Sequence, residues 1–227
     1  MCVRITLILC FLCAFYAYSS VHKVDVIAID YPPFTSAALS NNGLAFELLT
    51  KHLSQLSLIE FRANFLPPAR AQIELTKGNW CLSFYPPAPS EFIERIAISE
   101  EKVLLGFVSK QKQVNWQSFN FFKHKRLAML RASITQGIQG QLKQAGAIIV
   151  SVETVEQGIN LLLKGRVDFA FTDNVSFLDK QKSYKEYAQL AFAKTPLLEV
   201  QLGVYFNTRC KYAGLLAPHL YKVEVKD

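Results

Sequence analysis

The chain has few of the groups that most enzyme chemistry needs. Its four histidines, His22, His52, His124 and His219, are scattered with no spacing that would pair a nucleophile with a base, and no glycine-rich phosphate loop of the usual pattern appears. These absences argue against nucleophilic catalysis and nucleotide binding. No cluster of histidine, cysteine and carboxylate has metal-ligand spacing, so neither a metal nor another cofactor is expected. Exact internal repeats and low-complexity tracts are also missing, which excludes repeat architectures.

Long hydrophobic runs are scarce as well. One opens the chain, where the basic stretch Met1 to Arg4 precedes an uncharged apolar run from Ile5 to Ala17, followed by small residues at Ala17 and Ser19. That run is too short to span a bilayer comfortably and reads as a secretory signal peptide, with cleavage expected after Ser19. The expectation is an exported, periplasmic protein with no stable membrane insertion once the signal is removed. Leucine precedes both Cys10 and Cys13, which disfavours a lipid anchor, although an uncleaved anchor is the alternative. Of the five cysteines, only Cys81 and Cys210 lie outside this segment. They can form one disulfide in an oxidising compartment or remain as buried free thiols.

The formal net charge is +7, concentrated in Lys123 to Arg131 and Lys180 to Lys185. No nucleic-acid motif accompanies it and the export signal opposes that function, so no nucleic-acid partner is expected. A solvated basic face, or a mild preference for anionic small molecules, remains.

The most legible part of the chain is Ser151 to Asp173. Thr154 with Gln157 three residues on forms a capping box, and Val155, Ile159, Leu162 and Leu163 recur at helical spacing. Gly165 can take the left-handed conformation that closes such a helix. Val167 to Phe171 then reads as a strand covered on both faces, ending at Thr172, Asp173 and Asn174. Ligands sit outside the carboxyl ends of parallel strands, which makes Asp173 a candidate contact or, equally, a cap for the next turn.

Before this stretch the chain alternates twice between strand and helix. Strands are expected at Lys23 to Ile29, Leu58 to Phe65 and Trp80 to Phe84. Helices are expected from Leu44, with Asn41 or Asn42 as cap, and at Pro67 to Lys77. After the break Tyr85 to Pro89 come Glu91 to Ile98, a strand within Lys102 to Lys110, a strand at Arg126 to Leu130, a turn, a helix at Ile134 to Ala145 and a strand at Ile148 to Val152. A polar segment, Ser176 to Tyr187, leads to a last strand, Leu198 to Asn207. This order implies two α/β lobes with right-handed crossovers. The segments near Leu104 and Leu198 would carry the chain out of the first lobe and back, permitting hinge motion.

Four motifs in this order resemble the periplasmic solute-binding proteins of extracellular family 3, which include amino-acid receptors of ABC transporters. They are Asp30-Tyr31-Pro32-Pro33-Phe34 with Gly43 to Leu49, Ser90 to Ser99 around Arg95, Arg131-Ala132-Ser133 before a helix, and Gly165 to Asp173. The resemblance spans nearly the whole chain after the signal and implies a two-lobed type II periplasmic binding protein fold, α/β with parallel-rich sheets and a two-strand hinge. Its implied division is residues 1–19 signal peptide, 20–106 and 204–227 first lobe, and 107–203 second lobe. The implied function is non-enzymatic binding of a small polar, amino-acid-like solute for ABC-type uptake, with an ABC permease or a sensor protein as partner; the alternatives are an orphan periplasmic ligand sensor or an enzyme on the same fold.

By the same resemblance, Arg95 grips a ligand carboxylate, Asp173 pairs with a ligand amine, Ser133 offers a hydroxyl at a helix start and Tyr31 covers the ligand. A guanidinium fork suits a carboxylate physically. Each has a structural alternative: an ion pair of Arg95 with Glu91 or Glu94, plain caps for Asp173 and Ser133, and a packed ring for Tyr31. Pro68-Ala69-Arg70 resembles an arginine-bearing segment of stand-alone relatives, so Arg70 either faces the cleft or is a solvated helix residue. Phe84 to Pro89 replace the serines and threonines expected of an amino-acid receptor, and the tail after Asn207 is shorter than the two closing helices such proteins carry.

Overall fold

The computed structural model describes residues 21–112, 114–131 and 137–221. Strands β1 (His22–Ala28) and β2 (Ile59–Phe65) pair in parallel, with helix α1 (Leu44–His52) between them in the chain; α2 (Pro68–Thr76) then leads to the short β3 (Leu82–Ser83), also parallel to β1. Strand β4 (Ile93–Ser109) follows. Next come β5 (Arg126–Leu130), α3 (Ile138–Gln144), β6 (Ile148–Val152), α4 (Val155–Leu163), β7 (Phe169–Asp173), α5 (Asn174–Ser183), β8 (Ala191–Phe192), β9 (Leu198–Asn207) and α6 (Ala213–Leu220). The strands form one curled sheet in the order β2-β1-β3-β9-β4-β7-β5-β6, with β8 on β4.

Its two ends are parallel and its middle is antiparallel. Strands β9 and β4 cross between them, paired from Ile93 with Asn207 to Leu105 with Leu198. These are the two linking strands foreseen in the sequence, but β4 is a single 17-residue strand where two segments were expected. The polar run Ser99 to Lys102 looks like a loop because it carries no apolar alternation. The backbone nonetheless stays extended and absorbs the run as a register shift between Ala97 and Lys102, which turns the strand.

Local chemistry explains the helix starts. Thr154 Oγ1 accepts the Gln157 N–H at 3.1 Å, and the Gln157 side chain accepts the Glu153 N–H at 2.9 Å. At the other end of α4, Gly165 donates to Leu162 O and Arg166 to Leu161 O, the paired bonds of a Schellman closure. Helix α1 differs from expectation: Gly43, not an asparagine, is its N-cap. Its first N–H groups are satisfied from outside the helix, Leu44 donating to Pro33 O and Ala45 to Phe34 O, so no side-chain cap is required. The polar segment after β7 is also helical, because Asp173 caps α5 and Lys180 and Lys182 complement its carboxyl end.

One apolar core packs β1 and β3 against α1 and α6, with Val26, Leu49, Leu82, Phe206 and Leu216 fully enclosed. Helix α6 thus covers this face with Leu216 and Leu220. Cys81 and Cys210 form a disulfide beside it. Two further cores lie on either side of β5 and β7, one around Phe107, Phe122 and Phe169 and the other around Val108, Ile159 and Ala170.

Candidate functional site: a cleft crossed by Arg95

A cleft of about 650 Å³ opens beside the linking strands, within the size range of small-molecule sites. The loop after β1 supplies Ile29, Tyr31, Phe34 and Thr35, and the loop after β3 supplies Phe84 to Pro89. From the other half come Met129 and Leu130 at the end of β5, Gly137 to Gln139 at the start of α3, and Phe171 of β7. Strand β9 adds residues from Leu198 to Gly203. The contributions of β1, β3 and β5 thus come from their carboxyl ends or the loops that follow them, where open α/β sheets place ligands.

Short hydrogen bonds set the shape of its rim. Thr35 Oγ1 donates to Ile29 O at 2.8 Å, holding the β1 loop, while Ser83 Oγ donates to Tyr85 O at 2.7 Å and accepts the Tyr85 N–H at 3.0 Å. The second pair turns the chain so that Tyr85 and the prolines form a wall. Burial pushes the Tyr85 phenol above its ordinary pKa. On the opposite side Gln139 Nε2 donates to Leu130 O at 2.8 Å.

Arg95 lines this cleft and is the one charged side chain that does so among the described residues. It leaves β4 opposite Tyr205 of β9, and its guanidinium lies across Gly203, donating to Gln201 O. A Cβ on Gly203 would approach the guanidinium carbon to 3.1 Å, so the missing side chain is what lets arginine lie flat there. Neither Glu91 nor Glu94 pairs with it; Glu94 instead accepts the Tyr221 hydroxyl at 2.6 Å. A guanidinium has five N–H donors, which leaves most of those on Arg95 able to meet an anion.

Asp173 is placed very differently. It is fully buried (0 % exposed), lines no part of the cleft, and accepts the Ser176 N–H at 2.8 Å as the cap of α5. Its other oxygen, Oδ2, has no hydrogen-bond partner of normal geometry, nor does the buried Tyr31 hydroxyl beside it. Burial first, and then the Asp173 charge, push the Tyr31 phenol well above its ordinary pKa. The Tyr31 ring lines the cleft, so it stands at the Asp173 carboxylate where a ligand amine would otherwise arrive. Ser176 Oγ also donates to Pro32 O at 3.0 Å, tying the start of α5 to the same β1 loop.

The structure therefore brings Tyr31 to Asp173 and Arg95 to the cleft, but does not set Arg95 and Asp173 facing each other across it. Arg70 sits on α2 with its side chain 57 % exposed, paired with Glu74 at 2.9 Å, and does not line the cleft. Ser133 lies outside the described residues. The sequence reading missed Gln201 and Gly203, which position Arg95 from β9. The glycine and glutamine inside the apolar run Leu198 to Asn207 were the available signal, since an isolated strand glycine often marks a close approach.

A sheet curled around two crossing strands, with a cleft at the strand ends, is the two-lobed type II periplasmic binding fold. Solved structures of that fold superpose well. The GluR0 ligand-binding core from Nostoc punctiforme in complex with L-glutamate matches with a TM-score of 0.64 and 14% identity over 87% of this chain and 91% of that one. Tv2483 bound to L-arginine matches at 0.64 and 16% over 87% and 82%, and holo ArgBP from T. maritima at 0.63 and 14% over 87% of both chains. No protein-family model matches the sequence, and no curated protein is similar to it at a significant level. The chain thus has the fold of the family 3 solute-binding proteins at low sequence identity. Among the described residues, no helix is long and apolar enough to cross a membrane.

Proposed function

We propose that this protein is a non-enzymatic binding protein that holds a small, amino-acid-like solute in the cleft, with Arg95 gripping the solute's carboxylate. One observation carries the reading: a guanidinium without an acidic partner lines a cleft of ligand size in a fold whose similar structures hold L-glutamate or L-arginine. An arginine left without a carboxylate in a largely apolar cleft is a site for one. The lobes are read as residues 20–106 with 204–227, and 107–203, closing about β4 and β9. Export through residues 1–19 and delivery of the solute to an ABC permease complete the proposal.

A thermal-shift screen of amino acids, other carboxylates and sugars tests it. A ligand at about a hundredfold above its dissociation constant adds about 2.7 kcal/mol to stability. For a chain of this size that raises the melting temperature by about 5 to 10 °C. Arg95→Ala is expected to weaken a carboxylate ligand by about 2 to 5 kcal/mol. A sugar that binds equally well to both forms would overturn the reading.

A further inference from the structure

We infer that the preferred occupant of the cleft is a monocarboxylate with an apolar body and no ammonium group, such as an arylalkanoate or branched alkanoate. The inference rests on the proposed grip of Arg95 on a carboxylate and departs from the amino-acid-like part of that reading, because it gives the solute no amine. Three observations converge on it.

First, Arg95 is the one charged side chain lining the cleft among the described residues, so one anionic group is matched there and no carboxylate faces a cation. Second, the carboxylate that would meet an ammonium is closed off. Asp173 is fully buried, one oxygen caps α5, and the Tyr31 ring stands between its neighbourhood and the cleft. Its Oδ2 and the Tyr31 hydroxyl are buried beside each other, so a ligand approaching from the cleft meets the Tyr31 ring before it meets the carboxylate. Third, the wall of Tyr85 and three prolines, with Leu130 and Phe171 across from it, presents rings and aliphatic carbon where a polar receptor would present hydroxyls.

An ammonium entering such a cleft would lose its water and gain no anion, and an unpaired buried charge is among the costliest groups to desolvate. An apolar body gains contact with the same wall without that cost.

Matched ligands separate the charge from the shape. Titration calorimetry on the full chain would compare 3-phenylpropanoate with L-phenylalanine, 4-methylpentanoate with L-leucine, and 3-phenylpropanamide as the uncharged control. The expected result is that each alkanoate binds at least tenfold more tightly than its amino acid and at least tenfold more tightly than the amide. Asp173→Asn, which keeps the cap, is expected to leave alkanoate affinity within twofold. Equal or tighter binding of the amino acids, lost on Asp173→Asn, would overturn this inference while the proposed amino-acid reading stood. Binding of the amide as tightly as the acid would overturn both, and binding of no member of the set by the folded protein would overturn this inference alone.

Discussion

Arg95, in the cleft, and Asp173, behind the Tyr31 side of its wall, are two charged residues that the sequence motifs single out, and their two ends of the site are built in opposite ways. At the Arg95 end the charge is exposed, rests over a glycine, and has no acidic partner. At the Asp173 end the charge is sealed behind an aromatic ring and serves the protein's own helix as a cap. A motif places a residue at a strand end, but what covers that strand end decides whether the residue meets solvent, ligand or protein. Changes at the Arg95 end should therefore register in binding, and changes at the Asp173 end in stability.

After the loss expected from Arg95→Ala, the largest effect is expected from Gly203→Ala. A Cβ there would sit 2.6 Å from Ile96 O in the β4–β9 ladder and 3.1 Å from the Arg95 guanidinium, so both the strand pairing and the arginine must yield. Overpacking of this kind costs about 1 to 3 kcal/mol. Urea unfolding should show that loss, and affinity for a carboxylate ligand should fall at least tenfold as Arg95 is pushed aside. A variant that unfolds more easily but binds normally would mean that Arg95 is not held by this contact.

Asp173 supplies the contrasting pair of variants. Asp173→Ala removes the cap of α5 and leaves a small void, with an expected cost of about 1 to 2 kcal/mol in unfolding experiments. Asp173→Asn should cost clearly less, since asparagine caps about as well and has no charge to leave unsatisfied at the Oδ2 position. Equal losses from the two would show that the charge itself is needed at that end.

This division between the ends was only partly legible beforehand. Helix α4 could be read closely because its determinants are local: Thr154 bonds Gln157 three residues away, and Gly165 closes the turn it belongs to. The strands β5 and β6 were read at their observed limits, Arg126–Leu130 and Ile148–Val152, because apolar runs bounded by polar turns identify buried strands. Contacts between distant segments left no such trace. The Gly43 cap depends on carbonyls at Pro33 and Phe34, the Arg95 position on Gln201 and Gly203, and the shielding of Asp173 on Tyr31. The motif arginine and aspartate were visible as residues; whether each faces the cleft is set by the chain segment that folds over it.

The smallest effect is expected from Arg70→Ala, and it sharpens the comparison by asking whether a second arginine belongs to the cleft. Arg70 lies on α2 one turn before Glu74, which also accepts from Lys77 at 2.9 Å, so three charges share one solvated helix face. The two cations hold the Glu74 carboxyl below its ordinary range, Lys77 contributing through its hydrogen bond and charge and Arg70 adding to it. Because Lys77 remains after the substitution, Glu74 keeps a partner. Exposed pairs at this spacing contribute little to stability, so the unfolding midpoint should scarcely move. Ligand affinity should stay within twofold, in contrast to Arg95→Ala. A tenfold loss of carboxylate binding in Arg70→Ala would instead show that α2 turns its arginine into the cleft on closure, and that the anionic end of the ligand is held by two arginines.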